Sequence, residues 1–160
     1  TGAKFTRLYF KDCYIDGTTD FIFGPSTALF EDCIIHSKRN SYVTAASTPK
    51  EAKYGYVFKH CKLTAEPGVD KVYLGRPWRP YAYTLFIECE LGKHIVLAGW
   101  HNWGKQSNEE TARYMEYKNT GEGANASERV AWSKQLTKKE AEAVTVDAIF
   151  RTQSDWNPID

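Results

Sequence analysis

Phe10-Lys-Asp-Cys13-Tyr-Ile15 returns as Phe30-Glu-Asp-Cys33-Ile-Ile35, as Phe58-Lys-His-Cys61-Lys-Leu63 and as Phe86-Ile-Glu-Cys89-Glu-Leu91. The shared pattern is Phe-x-x-Cys-x-(Ile/Leu), stepping by 20, 28 and 28 residues. A period of that size on short apolar strands predicts a solenoid, because one repeat cannot bury its own apolar face. The strands are β-branched and aromatic, and no long amphipathic helix separates them, which excludes leucine-rich and helical repeats. The expected fold is therefore all-β, a parallel β-helix with coils about 4.8 Å apart. Equivalent positions then stack, giving one internal ladder of Phe and another of Cys. Stacked equivalents hold their Cβ atoms parallel and too far apart for good disulfide geometry, so four free thiols are expected.

A second ladder accompanies the first, in Asp20–Gly24, Tyr42–Ala46, Val72–Arg76 and Ile95–Gly99. The uneven spacing places the extra length in turns at Lys38–Tyr42, Ser47–Tyr54, Ala65–Asp70 and Pro77–Tyr83, where binding residues of a rigid scaffold usually sit. After Trp100 the repeat fades. Ala112–Tyr117 alternates weakly as a last strand, and Thr137-Lys-Lys-Glu140 spells a capping box that opens a short helix. A second helix starts at Thr145 or Asp147, and the two form a short C-terminal helical cap on the flank or end of the solenoid. Residues 1–160 read as a single domain.

Composition narrows the function. A net charge of +1 leaves no footprint for nucleic acid, and no 18-residue apolar run suggests a membrane span. Aromatic residues reach 14 %, with five Trp and ten Tyr, enough to supply flat rings for stacking on sugars as well as a core. His36, His60, His94 and His101 lack metal-ligand spacing, so neither metal nor cofactor is expected.

The chemistry concentrates in Gly17-Thr-Thr-Asp20-Phe-Ile-Phe-Gly24 and Tyr73-Leu-Gly-Arg76-Pro-Trp78-Arg-Pro80. Asp20 lies among Phe21, Ile22 and Phe23, an expensive place for a carboxylate without a partner. Arg76 stands in an equivalent strand two coils on, roughly 10 Å away, which a short Asp and a long Arg span together. Ala45, Ala46 and Ser47 on the intervening strand would leave the arginine room to cross. So held, Arg76 would keep Asp20 ionised and oriented as a nucleophile.

These two motifs closely resemble the signatures of the pectin methylesterase family, and the likeness runs nearly the whole length of the chain, through Gly99-Trp100, Tyr117–Ala124 and Arg129-Val-Ala-Trp132. The resemblance implies a right-handed parallel β-helix that removes methyl esters from the homogalacturonan of pectin, without a cofactor. Asp20 would attack the C6 ester carbonyl and Arg76 would orient it. Phe23 and Trp78 match aromatic positions lining the family's substrate cleft, and Tyr81 and Trp103 are weaker candidates for it. The protein would be secreted, to the extracellular space or the periplasm. One feature departs from the family: its acid/base Asp and oxyanion-stabilising Gln residues lie upstream of the first motif, whereas no Gln precedes Asp20 here. The expectation is a C-terminal part of the catalytic domain, with upstream coils absent and its N-terminal half as the needed partner. A calcium-dependent polysaccharide lyase and an inactive pectin-binding module stand as the alternatives.

Overall fold

The residue before each repeated cysteine has a positive φ: 54° at Asp12, 53° at Asp32, 53° at His60 and 49° at Glu88. That left-handed residue bends the chain sharply between two short strands, and repeating the bend winds the chain into coils. In the computed structural model, which describes residues 6–151 and 155–159, the result is a parallel β-helix. The first coil holds β1 (Arg7–Lys11), β2 (Tyr14–Gly17) and β3 (Ile22–Gly24), and the second β4 (Thr27–Glu31), β5 (Ile34–Ser37) and β6 (Ser41–Ala46). The third holds β7 (Tyr56–Lys59), β8 (Lys62–Ala65) and β9 (Val72–Gly75). The fourth has β10 (Tyr83–Ile87) and β11 (Glu90–Leu91), with Ile95 and Trp100 bridging to β9. Three parallel sheets run along the solenoid, the longest through β1, β4, β7 and β10.

Register makes the ladders. Phe10, Phe30, Phe58 and Phe86 are direct partners across the strands, and their rings stack at 4.9, 4.5 and 4.4 Å. All four cysteines are free thiols. Cys33, Cys61 and Cys89 each donate to the carbonyl of the Phe one coil back, at 3.6, 3.4 and 3.5 Å. A ladder of thiols thus meets a ladder of carbonyls that the strand bonds leave with a spare lone pair.

The fourth coil is not the end of the repeat. Strand β12 (Arg113–Tyr117) pairs with β10 in full register, setting Glu116 beside Phe86. Lys118 takes the left-handed bend at φ 45°, and Asn119, in the cysteine position, accepts from the Cys89 N–H at 2.9 Å. The final coil replaces Phe and Cys by polar residues because its far side has no further coil to stack on. Arg129 pairs with Glu116 there, Trp132 leans on Tyr114, and the two-residue strand β13 (Lys134–Gln135) adds to β12.

The helices lie on the flank, not over that end. Beyond a one-turn helix α1 (Asn108–Thr111), they are α2 (Lys138–Glu142) and α3 (Val146–Phe150). Thr137 and Glu140 make the expected capping box, and Thr145, rather than Asp147, caps α3. Both cover the outer face of the long sheet, where Ile149, Phe150 and Val144 pack with Leu29, Val57 and Leu85. That explains why β4 and β10 are buried on both faces instead of alternating between buried and exposed. Among the described residues no helix is long and apolar enough to cross a membrane.

Candidate active site

Asp20 stands at the entry to β3 with φ 51°, a strained angle for a residue with a side chain, and its N–H donates to the Tyr42 carbonyl at 2.9 Å. Arg76 follows β9 directly. Its N–H bonds Thr44 O and that of Trp78 bonds Ala46 O, both at 3.0 Å, so the segment after Gly75 keeps the direction of the sheet. Gly75 is required at that step: a Cβ there would fall 2.3 Å from the Thr44 hydroxyl. The two side chains meet as a fork, Arg76 Nε on Asp20 Oδ1 at 3.0 Å and Nη2 on Oδ2 at 2.6 Å. Burial works against the Arg76 charge, but the Asp20 carboxylate outweighs it and raises the guanidinium pKa.

The path of the arginine differs from the one that spacing suggests. Ile22 pairs with Thr44, which brings Tyr42, not the small residues, level with Asp20. The guanidinium lies on the Tyr42 ring at 3.9 Å and under Trp103 at 3.9 Å, sandwiched between them. Ala45 instead floors a depression of about 360 Å³ lined by Thr19, Asp20, Phe23, Trp78 and Trp103. His101 fixes the sandwich: its Nδ1 accepts the Trp103 N–H at 3.0 Å. Its ring stands edge-on to Tyr42 and Tyr73 at 5.4 and 5.2 Å. Burial, then the Arg76 charge, lowers the His101 pKa, consistent with a neutral ring whose proton is on Nε2.

Phe23 is 63 % and Trp78 41 % exposed, and their rings meet edge to face at 6.0 Å on the rim. Such large exposed rings beside a carboxylate form a surface suited to sugar faces. Tyr81 lies outside the depression, its ring near Lys50 and its carbonyl taken by Arg113. Tyr42 and His101 are the members that sequence reasoning passed over. The one available signal was the aromatic pair Tyr42 and Tyr73 at a shared ladder position. Among the described residues no group of His, Cys, Asp and Glu is placed to hold a metal.

Known proteins share this arrangement of coils. A family model described as pectinesterase matches residues 3–153. Pectinesterase 31 of Arabidopsis thaliana is 45 % identical over 136 residues, covering 84 % of this chain and 43 % of the relative. The carrot pectin methylesterase structure superposes with a TM-score of 0.85 at 34 % identity, over 92 % of this chain and 51 % of that one. Pectin methylesterase PemA from Erwinia chrysanthemi gives 0.82 at 32 % identity, over 96 % and 52 %. The chain thus spans about half the length of these relatives, and it belongs to the pectinesterase family.

Proposed function

We propose that this chain supplies the nucleophilic part of a pectin methylesterase, with Asp20 as nucleophile and Arg76 orienting it. The observation that carries the proposal is the forked Asp20–Arg76 pair opening onto an aromatic-rimmed depression. Each carboxylate oxygen gives one lone pair to the arginine and keeps another for attack. An Asp20 oxygen adds to the ester carbonyl carbon, the bond to methoxide breaks, and methoxide leaves as methanol on taking a proton. Water then cleaves the acyl-aspartate anhydride, releasing the galacturonate carboxylate and restoring Asp20. Phe23 and Trp78 hold the polymer by stacking, with Trp103 behind Arg76. A pectin methylesterase in complex with a hexasaccharide is among the similar structures, at a TM-score of 0.79 and 30 % identity, and supports an oligosaccharide as the kind of ligand.

The proton donor and oxyanion donors are to come from the part of the catalytic domain that the relatives have and these residues do not cover. We place the enzyme outside the cell or in the periplasm, where the polymer is. Methanol release tests the reading. The complete catalytic domain should release methanol from pectin without calcium, and the 160 residues alone should be slower by at least about four powers of ten, because on this reading the oxyanion donors and the acid lie in the part they do not cover. Lyase products, or calcium dependence, would overturn it.

A further inference from the structure

Trp103, which lies over Arg76, has φ 62°, a left-handed angle that is costly for a residue with a side chain. Local bonds hold it there. Its N–H donates to His101 Nδ1 at 3.0 Å, and the N–H of Gly104 after it donates to the Asn102 side chain at 2.8 Å. His101 is itself tied to the arginine strand, its N–H on the Gly75 carbonyl at 3.1 Å. The seat of the indole over the guanidinium thus depends on an imidazole nitrogen that must stay unprotonated to accept the bond.

The surroundings of His101 suit that state. His36 and His60 each have a glutamate partner, whose charge favours a protonated ring. His101 faces Arg76 instead, with the uncharged phenols of Tyr42 on β6 and Tyr73 on β9 at 5.4 and 5.2 Å. Asp20 is taken up by Arg76, and Glu109 of α1 is engaged by Asn102 Nδ2 at 3.1 Å. A proton on Nδ1 would set N–H against N–H and put a second positive charge beside Arg76.

Resting on the esterase reading, we infer that His101 is a positioning residue: neutral, it holds Trp103 over Arg76 and so steadies the Asp20 fork, and protonated, it releases Trp103 and slows the attack. Each ester cleaved yields a carboxylic acid and hence a proton, so the contact also couples turnover to its own product.

The test uses the complete catalytic domain, wild type beside His101→Asn and His101→Leu, reading kcat for methanol release and Trp emission from about pH 7.5 to about pH 5. Burial and the Arg76 charge lower the His101 pKa from 6.5 into this range, while His94, at about 4, stays mostly neutral. Wild type should lose about tenfold in kcat, the order expected for one lost positioning hydrogen bond, and its emission should shift over the same range. The shift should be missing in Trp103→Phe, which assigns it to that ring. Asparagine offers an acceptor oxygen in place of Nδ1 but takes up no proton, so His101→Asn should show neither the fall nor the shift. Leucine accepts nothing, and His101→Leu should stay at the low rate at every pH. A wild-type kcat flat across the range, the same fall undiminished in His101→Asn, or a His101→Leu that follows the wild-type profile would overturn the inference. Emission needs no turnover, so a pH-dependent Trp103 signal abolished in His101→Asn, without methanol release from wild type, would sink the esterase reading and leave the His101–Trp103 coupling standing.

Discussion

Asp20 and Glu116 each meet an arginine through two hydrogen bonds, Asp20 from Arg76 at 2.6 and 3.0 Å and Glu116 from Arg129 at 2.8 and 3.2 Å. The surroundings differ. Arg76 and Asp20 keep 22 % and 20 % of their side-chain surface in solvent, Arg129 and Glu116 only 3 % and 4 %. Arg129 uses all five of its N–H groups, adding Val96 O at 3.2 Å, Leu97 O at 3.1 Å and Gly123 O at 2.6 Å to the carboxylate. Glu116 accepts further from Asn119 at 3.1 Å and Gln135 at 3.3 Å. Arg76 instead directs two N–H groups to Asp20 and both faces to rings. A buried ion pair must satisfy every lone pair and proton to offset its desolvation, and it then has nothing left for a substrate. The same two functional groups, carboxylate and guanidinium, therefore form a closed pair at one place and, on the proposed reading, a reactive one at the other, the difference being free lone pairs at an open surface.

One substitution made twice in the complete domain separates the roles. Arg129→Lys should cost about 3–4 kcal/mol in denaturant unfolding, because an ammonium cannot reach the carboxylate and three carbonyls and leaves buried acceptors unpaired. The fraction that folds should turn over normally. Arg76→Lys should unfold within about 1 kcal/mol of wild type yet lower kcat by about a hundredfold, since the fork that sets the Asp20 angle is lost. Stability and turnover moving together in both variants would erase the distinction.

His94 extends the closed side of the comparison. It is buried, its Nε2 has no hydrogen-bond partner among the described residues, and burial, then the neighbouring His36, lowers its pKa to about 4. A folded-state pKa below the unfolded value near 6.5 means the unfolded chain binds the extra proton first. Stability from this group should be complete above about pH 6.5 and should decline through about pH 4, by about 3 kcal/mol in all. Unfolding free energies measured across that range, beside a His94→Gln variant lacking this part of the slope, check it. A variant with the full slope would assign the loss to other groups.

How much of this was legible in the sequence follows from what each feature demands. The Phe and Cys ladders could be read because stacked positions of a solenoid share one environment, and so one side-chain type. The fifth coil showed only as its strand, the weak alternation of Ala112–Tyr117 that became β12, since Glu116, Lys118 and Asn119 break the spelling while keeping the geometry. The pairing of Asp20 with Arg76 was open to coil counting. Tyr42 under the guanidinium was not, because it depends on which residue of β6 faces Asp20, and a short strand does not declare its register. The helices themselves were legible but their place was left between flank and end, because Thr27, Glu31 and Thr84 interrupt the apolar faces of strands that are nonetheless buried on both sides.

The central claim is that Asp20 is the group that attacks. Its direct test is Asp20→Asn in the complete catalytic domain, with methanol release and oligogalacturonate binding measured on the same preparation. The amide keeps the size of the side chain and removes the nucleophilic charge. Methanol release should fall by at least about a thousandfold, with binding and unfolding close to wild type. Release at more than a few per cent of the wild-type rate, from a folded variant that still binds, would contradict the account and move the nucleophile elsewhere.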